Sequence, residues 1–222
     1  MDMDGTLVKI CINAIPLILA ITLHEAAHGY VAKMLGDNTA YMMGRVTLNP
    51  AKHIDPVGTI VFPLISMILG GVVFGWAKPV PVNFGNLRHP KPDMFWVAAA
   101  GPGSNVVQAL IWAAVAKAIL LSEPTSVIAD FWLRVAGAGI KWNVILAIFN
   151  LFPILPLDGG RIVTSLLPNR LAYSYSRLEP YGMPILIGLI VLMIYYSPFG
   201  YAFGALINAG QQVFYALFSL NS

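Results

Sequence analysis

The sequence contains a single cysteine and few charged residues for its length. Of its 222 residues, 10% are charged and 58% are hydrophobic. Soluble domains carry about a quarter charged residues, so this composition predicts an integral membrane protein. The lone Cys11 excludes an internal disulfide and any metal site built from cysteines. The net charge of +3 mainly reflects membrane topology and gives no reason to expect a nucleic-acid partner.

Long apolar stretches predict an all-α, polytopic helical bundle. A span needs about 20 mostly apolar residues. We expect spans at 10–35, 94–121 and 131–157, and two short spans within 180–222. The chain would then form one transmembrane domain, 1–222, with about five spanning helices. Its core would be 10–170, and residues 180–222 would form a C-terminal helical hairpin that turns at 197–200.

The segment 56–77 is apolar enough to cross the membrane but is rich in proline and glycine, which disfavour a continuous helix. Six basic residues lie between the first span and the span at 94–121. If 56–77 crossed, half of them would face the outside, against the positive-inside rule. We therefore expect a re-entrant segment, with all six on the cytoplasmic side of the cell membrane. These are Lys33, Arg45, Lys52, Lys78, Arg88 and Lys91.

The first apolar stretch contains the sequence His24-Glu25-Ala26-Ala27-His28. Histidines four residues apart lie on one face of a helix, so both rings can reach one metal ion. A glutamate beside the first ligand is placed to act as general base on a metal-bound water. Ionisable residues at bilayer depth are costly and usually mark function. The alternative is a pair of polar histidines in the helix core.

A hydrolytic zinc site usually has three protein ligands, so a third ligand is needed. His53 and His89 lie in basic, proline-containing loops, which leaves Asp158 as the better candidate. Asp158 follows a proline-interrupted apolar run and precedes Gly159-Gly160, where the chain can turn tightly. Alternatively, Asp158 caps a helix that follows it or pairs with Arg161.

Two asparagines are candidates for transition-state stabilisation. The amides of Asn105, in the sequence GPGSN, and of Asn150 could hold a substrate carbonyl or an oxyanion. Small residues around Asn105 also fit a purely structural role in helix packing. The stretches 47–50 and 75–83 are predicted to be extended, β-like loops. The second stretch is either an edge strand able to pair with a peptide or a plain connection. His53 and Asp55 either support the site or belong to a surface loop.

Three motifs together resemble the site-2 protease family of intramembrane zinc metalloproteases. They are HEAAH in one membrane helix, GPGSN opening another and NLFPILPLDGG ending a third. The stretches TLNPAKHIDP and GWAKPVPVN resemble a compact prokaryotic branch without a PDZ domain. The resemblance implies that His24, His28 and Asp158 bind one zinc ion and that Glu25 is the catalytic acid and base. Asn105 and Asn150 match polar positions of the family.

These patterns predict a zinc-dependent endopeptidase that cleaves membrane-embedded protein segments, as in regulated intramembrane proteolysis. Its partners would be a transmembrane or membrane-associated substrate and the lipid bilayer. A metal transporter or metal sensor is one alternative, but it would favour acidic or histidine residues strung along a path through the bilayer. A non-catalytic scaffold with a structural zinc is another, and it would favour a fourth ligand.

Overall fold

The computed structural model describes residues 5–61, 75, 77–122 and 126–220. Across these residues the chain is helical and contains no strand. Short helical turns are formed by Thr39–Met42, Pro50–His53, Phe84–Asn86 and Glu179–Tyr181. The longer helices are α1 (Thr6–Met34), α2 (Pro90–Leu121), α3 (Val127–Asn150), α4 (Asp158–Leu166), α5 (Asn169–Ser176), α6 (Gly182–Tyr195) and α7 (Ser197–Leu217).

Helices α1, α2 and α3 pack against one another and form the centre of the molecule. Small residues line their interfaces, including the fully buried Ala20, Ala109 and Ala136. A Cβ atom at Gly139 would overlap the ring of Trp112, so α2 and α3 approach closely at this glycine. Close backbone approach through small residues is typical of helices packed in a membrane. Helix α4 packs on α2, while α7 packs on α3 and α6.

Local sequence explains where these helices begin and end. Helix α1 ends in a Schellman motif: Gly36 has φ +117, and the N–H of Asp37 donates to Ala32 O at 2.9 Å. Helix α2 begins at Pro90, whose missing N–H costs no helical bond there. The Ser126 hydroxyl caps α3 by accepting from Ala129 N at 3.1 Å.

In the part of the chain that the structure describes, four helical segments are long and apolar enough to cross a membrane, which confirms the predicted all-α polytopic architecture. They are Thr6–Met34, Pro90–Leu121, Val127–Asn150 and Asn169–Tyr195, the last of which contains α5 and α6. The span expected at 131–157 is shorter at its end, because the helix stops at Asn150 and residues 151–157 form turns before α4. Prolines at 153 and 156 explain this early end, since proline cannot continue the helical hydrogen-bond pattern.

The C-terminal hairpin consists of α6 and α7, and its turn lies at Tyr196, one residue before the predicted 197–200. Helix α7 is not among the four helices that qualify as spans. Most of the segment expected to be re-entrant, 56–77, lies outside the described residues. Its described start, Pro56–Val61, is a π-helix. Of the two stretches predicted to be extended loops, residues 77–83 have no regular secondary structure and form no strand, whereas 47–50 contains bends and ends at the first residue of the 3₁₀-helix Pro50–His53.

Candidate active site

The structure brings His24, His28 and Asp158 together. Both histidines lie in the second half of α1, and Asp158 is the first residue of α4. The two Nε2 atoms are 3.1 Å apart. Asp158 Oδ2 lies 3.2 Å from His24 Nε2, and Asp158 Oδ1 lies 3.3 Å from His28 Nε2. These residues form a group that could hold a metal ion, with one ligand atom from each and all three within 4.8 Å of one another.

Hydrogen bonds on the far side of each ring determine which nitrogen carries the proton. His28 Nδ1 lies 2.7 Å from Val97 O, and a carbonyl can only accept, so Nδ1 donates. His24 Nδ1 lies 2.7 Å from Asn105 Oδ1 and donates in the same way. Each neutral ring therefore presents the lone pair of Nε2 to the centre of the group, as metal-binding histidines do.

The three facing atoms fit a cation. Two Nε2 lone pairs and a carboxylate converge, and Asp158 Oδ2 has no hydrogen-bond donor among the described residues. Ligand atoms arranged tetrahedrally at about 2.0–2.1 Å from zinc would lie about 3.3 Å from one another. The observed separations of 3.1–3.3 Å match that spacing. Without a positive charge between them, these atoms would repel one another in a buried environment.

Glycines allow the backbone to approach the site closely. A Cβ atom at Gly101 of α2 would lie 2.6 Å from His24 Nε2 and closer still to His28 Nε2. A Cβ atom at Gly160 of α4 would lie 2.6 Å from Leu155 N, and one at Gly159 would overlap the Leu151 carbonyl. The GPGSN and DGG motifs thus supply the space in which Asp158 meets the histidines, as their glycines led us to expect.

Asn105 is fully buried and lies behind His24. Its Nδ2 donates to Asn143 Oδ1 at 2.9 Å, and Asn143 Nδ2 donates to Gly139 O at 2.9 Å. The Asn105 side chain is therefore hydrogen-bonded to a histidine of the site, and its expected contact with substrate stays a prediction. Sequence reasoning missed Asn143. A polar residue at bilayer depth in α3 was the available signal.

The other candidate residues make contacts away from the group of His24, His28 and Asp158. Asn150 Nδ2 donates to Leu146 O at 3.0 Å in its own helix. Arg161 pairs with Glu179 rather than Asp158, and the Asp158 side chain makes no capping bond to α4.

The two remaining histidines and Asp55 lie in the loop between α1 and α2. His53 is buried and its Nε2 contacts Thr47 O, whereas His89 is exposed beside Asp93. Asp55 Oδ1 accepts from the N–H groups of residues 57 and 58 at 2.9 and 2.7 Å, which gives it a local role.

Glu25 is half-buried and contacts the segment 77–83. Its Oε2 accepts a hydrogen bond from Val80 N at 2.8 Å. Val80 lies 55 residues away in the sequence, and no pattern in the sequence pointed to this bond. The segment therefore passes beside the HEAAH motif.

Comparison with known proteins agrees with this chemistry. The chain is 36% identical over 208 residues to "Putative zinc metalloprotease YwhC" of Bacillus subtilis, covering 92% of this chain and 90% of that protein. The model of peptidase family M50 matches residues 115–194. The chain belongs to this family, the site-2 proteases.

Less similar relatives also match most of the chain. "Putative zinc metalloprotease Rip2" of Mycolicibacterium smegmatis is 26% identical over 207 residues, covering 88% of this chain and 76% of that protein. Rip2 of Mycobacterium tuberculosis is 28% identical over 187 residues, covering 84% of this chain and 68% of that protein. No solved structure matches the chain significantly. This M50 protein is therefore a multi-pass membrane zinc metalloprotease.

Proposed function

We propose that the protein is an intramembrane endopeptidase in which His24, His28 and Asp158 hold the zinc ion and Glu25 is the general base and acid. The observation that carries this proposal is the convergence of two Nε2 atoms from α1, a helix long enough to cross a membrane, and the Asp158 carboxylate from α4, with Glu25 directly after the first histidine. Bound zinc supplies Lewis-acid chemistry, which acidifies water and polarises a carbonyl at ordinary pH.

The roles of the residues follow from their positions. Glu25 takes the proton of the attacking water and then delivers it to the leaving amide nitrogen. Asn105 and Val97 O hold the two rings so that both Nε2 atoms face Asp158. In this account Asn105 is a positioning residue. Asn150 remains a candidate for contact with the substrate, because its Nδ2 bond to Leu146 O is local to its own helix and does not involve its Oδ1 atom.

The substrates we propose are transmembrane or membrane-associated proteins. A helical substrate must unwind before its amide can be attacked, and each backbone group freed in hydrocarbon costs several kcal/mol. The segment 77–83 lies beside Glu25, where an unwound substrate strand could pair with it. The glutamate beside the ligand set favours hydrolysis over metal transport, since a transporter needs no general base.

We further propose that 1–222 is a single domain in the cell membrane with its active site toward the cytoplasm. The basic residues between α1 and α2 support this orientation. A role in regulated proteolysis, in which cleavage releases a signalling segment, belongs to the same proposal.

The test is cleavage of single-span proteins by the purified enzyme in liposomes. Candidate substrates should be cut within their hydrophobic segments, with the cut mapped by mass spectrometry, and His24→Ala enzyme should leave them intact. Cuts confined to soluble loops would contradict the intramembrane assignment. Equal cleavage by the His24→Ala enzyme would contradict the proposed metal site.

A further inference from the structure

The peptide group between Pro79 and Val80 is held at both ends by side chains from other parts of the chain. Its carbonyl accepts from Arg45 Nη2 at 3.3 Å, and its N–H donates to Glu25 Oε2 at 2.8 Å. The same Nη2 donates to Lys78 O at 2.8 Å. The C=O and N–H of a trans peptide point in opposite directions in one rigid plane, so fixing one end fixes the other.

Arg45 and Val80 are both buried, with 6% and 8% of their surfaces exposed. Residues 79 and 81 are prolines, so Val80 supplies the one N–H of this tripeptide. Two more bonds anchor the segment: Lys78 N donates to His53 O at 2.9 Å, and Asn83 N donates to Asp37 Oδ2 at 2.7 Å. The segment thus presents a preorganised donor to Glu25.

We propose that Arg45 is a positioning residue of the protease, which fixes the Pro79–Val80 peptide so that its N–H holds the Glu25 carboxylate in place. Donation by a guanidinium to the carbonyl also strengthens the N–H of the same peptide as a donor. One carboxylate oxygen is then committed to Val80, and the other, Oε1, can take the proton from water. This inference rests on the proposed catalytic role of Glu25.

Hydrogen exchange tests the contact without any need for activity. Between residues 79 and 82 the exchangeable amides are those of Val80 and Val82, so a peptide covering this stretch reports on few sites. We expect the Val80 amide to exchange at least about tenfold faster in Arg45→Met and in Glu25→Ala than in the wild type. The control is Arg88→Met, an exposed arginine at the far end of the same loop, which should exchange like the wild type. Unchanged exchange in Arg45→Met would overturn the proposal.

Kinetics test the consequence for catalysis. Arg45→Met should lower kcat at least about tenfold, with KM within about twofold and one zinc per chain, because misplacement of a catalytic group slows chemistry more than binding. Arg45→Lys, which keeps a donor for one carbonyl, should recover part of the loss. The shorter side chain of a Glu25→Asp enzyme cannot keep the bond to Val80 N. In that enzyme, adding Arg45→Met should lower kcat by less than about twofold.

Failure of the proposed role of Arg45 can be distinguished from failure of the proposed protease function. An Arg45→Met enzyme with raised kcat would show that the bond restrains Glu25, which overturns a positioning role. If Arg45→Met lowers kcat by the same factor in the wild type and in the Glu25→Asp enzyme, Arg45 does not act through Glu25. A Glu25→Gln enzyme that cleaves normally would contradict the proposed function, whereas the exchange result would still stand or fall by itself.

Discussion

Each histidine of the site is held by a hydrogen bond from the ring nitrogen that points away from Asp158. His24 donates to the Asn105 side chain, whereas His28 donates to the backbone carbonyl of Val97. The two positions therefore differ in how they respond to mutation. The acceptor of His24 can be removed by substitution, and the acceptor of His28 cannot.

Removing the Asn105 amide should weaken zinc binding. Asn105→Leu takes away the acceptor that sets the tautomer and the orientation of His24, and loss of such a partner typically lowers metal affinity about 10–100-fold. Zinc affinity can be measured by competition with a chelator. Gln108→Leu is the matched control, because Gln108 is a buried amide on the same helix and its Nε2 donates to Ala20 O at 3.5 Å. Equal affinities of Asn105→Leu and the wild type would contradict the orienting role.

Gly101→Ala should remove zinc and activity. The added methyl group would overlap the facing nitrogens of both histidines, so the rings or α2 would have to move. Gly103→Ala is the control, because a Cβ atom there meets no atom within 4 Å. Zinc content and cleavage should be lost in the first variant and retained in the second. A zinc-loaded, active Gly101→Ala protein would be inconsistent with the close approach of α2.

Asp37 connects the end of α1 to the loop that leads into α2. Its carboxylate accepts from Asn83 N at 2.7 Å, from Asn86 Nδ2 at 3.1 Å and from the N–H of Thr39 at 3.1 Å. Burial alone would raise the pKa of Asp37, but these bonds and that of the Thr39 hydroxyl outweigh it and lower the pKa below 3.8. Ionised Asp37 thus holds the segment 77–88 against α1.

The stabilising effect of Asp37 should depend on pH. Because the folded pKa is lowered, the contribution is fully present above the unfolded value of 3.8 and is lost as pH falls through the folded value. The melting temperature of the wild type should therefore exceed that of Asp37→Asn at neutral pH, and the difference should shrink as pH falls below 3.8. A difference that stays constant down to the folded pKa and beyond would refute the assignment.

The elements that the sequence predicted best are those with a strong local signal. The apolar runs located α1, α2 and α3 to within a few residues, except where Pro153 and Pro156 end α3 early. The prediction that the two histidines of HEAAH share one face required only the periodicity of a helix. The contacts of Asn143, Val97 O and Val80 N were not predictable, because each joins residues far apart in the sequence and two of them use backbone atoms that carry no residue-specific signal.

The architecture of the whole molecule places the candidate ligands on two elements. The histidines belong to α1 and Asp158 to α4, and both elements pack on α2. The orientation of these helices in the membrane determines from which side water and substrate enter. We infer from the basic residues that the α1–α2 loop lies in the cytoplasm.

Lys52 and Arg88 should lie on the same side of the membrane. With Cys11 replaced by serine, Lys52→Cys and Arg88→Cys can each be labelled from either side with an impermeant thiol reagent. Both positions are exposed in the structure, so their reactivity reports sidedness. We expect labelling of both from the cytoplasmic side. Labelling from opposite sides would refute the re-entrant assignment of 56–77.

Glu25→Gln tests the central claim most directly. The amide keeps nearly the same shape and can still accept from Val80 N, but it cannot take a proton from water. Cleavage of a membrane substrate should fall about 10²–10⁴-fold, while the purified variant should retain one zinc per chain and the wild-type melting temperature. A Glu25→Gln protein that cleaves at the wild-type rate would contradict the account.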